Sequence, residues 1–192
     1  MKPLFFAFVL IALVIPSMAF AASADEQRAA IQKMETATLE KLYKEKPDTR
    51  REIQEAEGYA VFSNGELAVM WLSGGYGHGA AHSRDGQTIY MEMAKAGVGL
   101  GLGAKDFNTV FVFHDPDAFR KFTTTGLDLS GTADAAAKAG VKGNAASGAA
   151  DVIPGVRVYQ MTDNGLIAQA MVQGTKYWRD DSLNTAVNQT SH

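Results

Sequence analysis

The chain has 192 residues, of which 20% are charged, with a formal net charge of −3 and no cysteine. Disulfide frameworks and cysteine-built metal or redox centres are thereby excluded. A mildly acidic balance also argues against nucleic-acid binding, which neutralises phosphates with clustered Lys and Arg.

Lys2, the apolar run Leu4 to Ile15 and the triplet Ala19-Phe20-Ala21 have the form of a secretory signal. An apolar core this short falls below the ~20 residues of a membrane span, and a retained, uncleaved anchor is the alternative. No cysteine follows the leader, so lipid attachment through an N-terminal cysteine is excluded. Cleavage after Ala21 leaves 171 of the 192 residues, with 17 basic against 21 acidic side chains, a net of −4. That length suits one domain with a real core. The expectation is an exported bacterial protein, periplasmic or secreted, with residues 1–21 as signal and 22–180 as the domain.

Ser23 to Lys46 reads as a helix. Asp25 and Glu26 lie in its first turn, Lys41, Lys44 and Lys46 near its end, and Ile31, Met34, Leu39, Leu42 and Tyr43 form one stripe. Pro47 stops it, and Asp48 or Thr49 can cap a second helix from Arg50 to Glu57, ended by Gly58. From Tyr59 the period becomes two. Tyr59 to Phe62 reads as a short strand, Ser63-Asn64-Gly65 as a turn and Glu66 to Leu72 as a second strand. The stretch Ser73 to Ser83 leads into a hairpin signal at Arg84-Asp85-Gly86, and Thr88 to Lys95 continues as strand. Asn108 to Phe113 is another strand, after which Asp115 caps a helix that has Pro116 at its first position and carries Ala118, Phe119 and Phe122. Thr123 to Pro154 is rich in Ala and Gly and reads as a tightly packed helix or a mobile insert. Val156 to Met161 and Leu166 to Trp178 read as strands joined by a turn at Thr162-Asp163-Asn164-Gly165. Residues 181–192 have little to bury and read as a disordered tail.

Nine of the 19 glycines fall between Gly74 and Gly103. Gly75, Gly77 and Gly79, then Gly97, Gly99, Gly101 and Gly103, alternate with other residues at the strand period. They would line one strand face, with Tyr76, His78, Val98, Leu100 and Leu102 on the other. A face without side chains lets another part of the chain, or a ligand, approach the backbone closely.

The order of motifs resembles a known family. Gly-Tyr-Ala-Val-Phe (58–62) follows two helices, then come Gly-Gly-Tyr-Gly-His-Gly (74–79), Ala-Gly-Val-Gly-Leu-Gly-Leu-Gly (96–103) and Val-Phe-Val-Phe (110–113). Gly-Leu-Ile-Ala-Gln-Ala (165–170) and Gly-Thr-Lys-Tyr (174–177) close the series. From about Leu39 to Asp180 the chain is similar to SYLF domains, the Ysc84-type actin- and lipid-binding family that includes yeast actin-associated proteins and many exported bacterial ones. The resemblance implies binding of lipid, particularly phosphoinositides or other acidic phospholipids in eukaryotic members, some of which also bind actin filaments. This chain carries no SH3-type partner module, and an exported protein would not meet actin or phosphoinositides in its own envelope. A lipid-facing role transfers better than a headgroup does.

Catalytic and cofactor signals are weak. Neither glycine cluster holds Gly-x-x-x-x-Gly-Lys-Ser/Thr or Gly-x-Gly-x-x-Gly, and strict alternation suits a strand better than a phosphate loop. His78 and His82 would share a strand face, and Asp85 could add a third metal ligand, but a polar pair on a hairpin is the favoured reading. No Gly-x-Ser-x-Gly marks a nucleophile, and the paired Asp180-Asp181 begins the tail. The chain is therefore expected to be non-enzymatic, with no cofactor.

Two lipid routes follow. The Ser23 to Lys46 helix could lay its Ile31-Met34-Leu42 stripe in a membrane, although five acidic residues balance its lysines; packing on a sheet is the alternative. Otherwise lipid could enter a groove beside the glycine strands, with Val98, Leu100, Leu102, Met91 and Met93 on the acyl chain. Lys95, Lys105, Arg120, Lys121 and Lys176 would then be candidates for the headgroup phosphate. The alternative for the glycines is close packing against the Ala/Gly-rich segment 133–150. The fold expected is α+β, a single domain with a curved antiparallel sheet or partial barrel and helices packed on one side. The function expected is phospholipid binding at the bacterial envelope. The rival is an exported protein-interaction or structural module with incidental lipid contact, and a distant third is a metal-assisted hydrolase built on His78 and His82.

Overall fold

In the computed structural model residues 23–69, 72–98, 103–129, 142–144, 149–162, 165–166 and 174–185 are described. Helix α1 (Ala24–Glu45) starts where Ser23 and Glu26 cap each other: the Glu26 N–H donates to Ser23 Oγ at 3.2 Å, and the Ser23 N–H to Glu26 Oε2 at 2.7 Å. Donation to the carboxylate by the Ser23 N–H, and then by the Ser23 hydroxyl, holds the Glu26 carboxyl below its ordinary value. A short α2 (Thr49–Glu55) follows. Four long strands then run antiparallel, β1 (Gly58–Val69), β2 (Leu72–Ser83), β3 (Thr88–Val98) and β4 (Gly103–Phe113). Asp115 caps α3 (Pro116–Thr124), its Oδ1 accepting from the N–H groups of Asp117 and Ala118. Beyond it lie β5 (Leu127–Asp128), β6 (Lys142–Asn144), β7 (Ala149–Ile153), β8 (Val156–Thr162), β9 (Gly165–Leu166), β10 (Thr175–Arg179) and α4 (Asp181–Thr185).

The strands form one antiparallel sheet in the order β5-β10-β3-β2-β1-β4-β8-β7-β6, with β9 also on β8, curled into a half barrel. The structure thus has the expected α+β class, single domain and curved sheet. Side-chain alternation gives the sheet two apolar faces. Inside the curl, Phe62, Phe111, Phe113 and Tyr177 meet Phe119 and Phe122 of α3 with ring centroids 5.0–6.1 Å apart. Outside, Val61, Val110, Val112, Tyr159 and Met161 pack under Leu42 and Ile53 of α1 and α2, while Ile31 and Leu183 of α1 and α4 cover Ala80. Three helices therefore share the outer face, and α3 departs from the expected one-sided layer. Its phenylalanines fill the concavity that the curl opens.

Gly79 makes that filling possible. It stands opposite Phe62, and a Cβ there would lie 2.0 Å from the Val61 carbonyl oxygen and 2.6 Å from the Phe62 ring. The space a side chain would take is occupied by a neighbour's ring. The described parts of the Ala/Gly-rich segment, β6 and β7, instead extend the sheet beyond β8.

Three expectations are corrected. Ser63-Asn64-Gly65 is not a turn: β1 runs through it, paired with β2 and β4 on both sides, and two complete ladders outweigh local turn preference. Leu166 to Trp178 is not one strand, since β9 pairs with β8 whereas β10 pairs with β3 and β5. Residues 181–185 are helical rather than part of a disordered tail. Asp180 Oδ1 accepts the Leu183 N–H at 3.0 Å, Leu183 is only 2% exposed, and the Asn184 amide pairs with both backbone groups of Tyr90.

Gly79→Ala is expected to cost about 2 kcal/mol, because strand and ring must both move; an unchanged urea midpoint would show the site to be roomy. Alkaline pH provides a second test. Burial raises the phenol pKa of Tyr177 and, with a hydrogen bond to Glu52, that of Tyr159. Raised values favour the neutral phenol in the folded state, so their stabilisation is complete below the ordinary range and is lost as pH rises through the folded values. The midpoint should hold to about pH 9 and fall above about pH 10, less steeply in Tyr177→Phe. A flat profile to pH 11 would refute the assignment.

Candidate functional site

On the outer face, register aligns four residues across four strands: Ser63 beside His78, His78 beside Glu92, and Glu92 beside Trp178. The N-terminal half of α1 passes next to this row and leaves a cleft of about 430 Å³. Gln27, Ala30, Ile31 and Met34 form the helical wall; Ser63, Tyr76, Gly77 and His78 form the floor. Ser63 adds little side-chain volume to the floor, and Gly77, whose missing side chain would point to the inner face, presents only backbone there.

Glu92 organises the mouth. Tyr76 Oη donates to Glu92 Oε1, and Trp178 Nε1 donates to Oε2 at 2.6 Å. The Tyr76 ring lies 6.4 Å from that of Trp178 and meets His78 edge-on at 4.9 Å. At 49% exposure Tyr76 is the large hydrophobic that stands out to solvent among the described residues. Partial burial, then the hydrogen bond and charge of Glu92 and the charge of Asp180, push its phenol up to about 12.

The helical wall is tied down beside the cleft. Glu35, itself buried, contacts His82 Nε2 at 2.9 Å; the other ring nitrogen meets Thr88 Oγ1, and the imidazole stacks on Tyr59. Arg28 donates to the Leu183 carbonyl at 2.7 Å. Ile31 and Leu42 are buried against the sheet, so the stripe expected to enter a membrane is packed, and Met34 borders the cleft. Elsewhere Glu52 accepts from Tyr159 at 2.5 Å and from His114 and Arg157 at 3.0 Å, which fastens α2 to the sheet.

The expected headgroup residues do not converge. Lys95 and Lys105 share one cross-strand row through Glu66 and Gly75. Lys95 Nζ sits 4.7 Å from the centre of the Phe107 ring. Arg120 and Lys121 are exposed on α3, Arg120 paired with Asp117 at 2.6 Å. Lys176 lies one residue from inward-facing Tyr177, turns to the outer face and meets Asp128 at 3.7 Å. Val98 ends β3 opposite Leu72, while Leu100 and Leu102 lie outside the described residues. His78 and His82 do share a face, but His82 is engaged by Glu35 and Thr88. Among the described residues no group of three or more His, Asp or Glu side chains is placed to hold a metal. No helix among them is long and apolar enough to cross a membrane. Sequence reasoning placed Tyr76 and His78 opposite the glycines but missed Glu92 and Trp178, whose approach depends on β10 pairing with β3.

The Ysc84 family, described as "Las17-binding protein actin regulator", matches residues 94–191, just over half of the chain. Beta cell expansion factor A of Aeromonas veronii is 34% identical over 162 residues, covering 84% of this chain. The chain spans 60% of that relative's length.

Glu92→Gln keeps the shape of the mouth and removes its charge. The Tyr76 phenol should then titrate below about 12, followed by ultraviolet absorbance against a Tyr76→Phe control. An unmoved titration would leave burial and the charge of Asp180 as the causes.

Proposed function

The chain belongs to the Ysc84 (SYLF) family, and on that premise we propose that it is a non-enzymatic, exported lipid-binding protein of the bacterial envelope. The observation that carries this reading is the solvent-open, mainly apolar cleft between α1 and β2. Tyr76 and Trp178 stand at its mouth, each with an apolar ring and a polar tip that suit a boundary between hydrocarbon and water. A cleft of this size lies within the range of small-ligand sites. The cationic groups expected to hold a phosphate are dispersed or paired, so apolar contact is the main source of affinity. Export rests on the leader pattern in residues 1–21.

A second reading is a protein-interaction module with incidental lipid contact. The description of the matched family as a Las17-binding actin regulator favours it.

Liposome co-sedimentation separates the two. Residues 22–192, which contain every described element, should pellet with vesicles without a partner protein, and binding should persist in high salt. Ala30→Glu places a charge on an exposed position of the cleft wall and should weaken binding at least about tenfold. Absence of binding to vesicles of any composition would remove the lipid reading and promote the protein partner.

A further inference from the structure

Resting on the lipid-binding reading, we propose that the cleft selects a single-chain amphiphile with a quaternary ammonium (choline-type) head. The head sits against Tyr76, Glu92 and Trp178, and the chain lies between α1 and β2.

Charge at the mouth carries the argument. Glu92 is half-buried and has two neutral donors, the Tyr76 hydroxyl and the Trp178 indole N–H, with no cationic partner among the described residues. Asp180 adds negative potential that is felt at Tyr76. The nearby cations already have carboxylates: Arg28 meets Asp25 at 2.7 Å, and Lys176 meets Asp128 at 3.7 Å. A phosphate brought there meets repulsion, and the cations named beside it already have carboxylate partners, whereas a positive head finds a carboxylate.

The aromatic groups refine the class. A quaternary ammonium has no N–H to donate and is held by ring faces and a nearby negative charge. Two tilted rings whose polar edges are both occupied by Glu92 provide that environment without an unmet hydrogen bond. A primary ammonium would need further acceptors. Tyr76 belongs to both the mouth and the cleft floor, so head and chain sites are continuous. One helical wall facing a floor drawn from β1 and β2, around a volume of about 430 Å³, fits one chain better than two.

Residues 22–192 are titrated by calorimetry with dodecylphosphocholine, and separately with dodecyl phosphate, each below its critical micelle concentration. Saturable one-to-one binding of dodecylphosphocholine is expected, with dodecyl phosphate at least about tenfold weaker. Glu92→Gln should lose about tenfold for the choline head. Tyr76→Phe, which keeps the ring, should bind nearly as the parent does, and Tyr76→Ala should not. Tyr76 is exposed enough for both variants to fold, which circular dichroism checks. Equal or tighter binding of dodecyl phosphate, or a Glu92→Gln variant with unchanged affinity, overturns the proposal. Vesicle pelleting without amphiphile binding overturns it while the lipid reading stands; failure of both removes the two together.

Discussion

The exchange between Gly79 and Phe62 is the constraint on which the inner core depends. A strand lacking a side chain at that position leaves room for its neighbour's ring, and that ring contacts Phe111, Phe122 and Tyr177. Curling brings these positions together, and α3 closes the space by inserting Phe119 and Phe122. Aromatic pairs of this kind add about 0.5–1.5 kcal/mol each beyond the area they bury, so the tightly curled sheet is held from within. Its outer face is then free to carry α1, and the cleft lies where α1 passes Ser63 and the backbone of Gly77.

Local signals were legible where the chain settles its own geometry. Asp85-Gly86 makes the hairpin because Gly86 adopts a φ of 91°. Asp115-Pro116 starts a helix because the aspartate side chain reaches the first free N–H groups. Sequence reasoning failed where distant chain decides. Ser63-Asn64-Gly65 has turn composition, yet β2 and β4 both pair with it. Residues 181–185 look dispensable, yet Tyr90 supplies partners for Asn184 from 94 residues away.

The site divides the same way. Lys95 and Lys105 flank the glycine run in the sequence, and the register puts them on one row. Lys176 shares their charge, but strand alternation turns it to the opposite face from Tyr177. Glu92 and Trp178 carry no motif, and their partnership is set by which strand lies beside β3.

That neighbour is the last of the described strands. β10 lies between β5 and β3, and it contributes Tyr177 to the inner cluster and Trp178 to the cleft mouth. A ribosome-bound chain that has not yet released these residues lacks one ring of the core and the flank of β3. Pairing between strands so far apart in sequence is slow to form, because the loop must close before the contact is made. One strand thus couples the two faces of the sheet: a substitution that loosens β10 from β3 disturbs the inner core and the cleft mouth together.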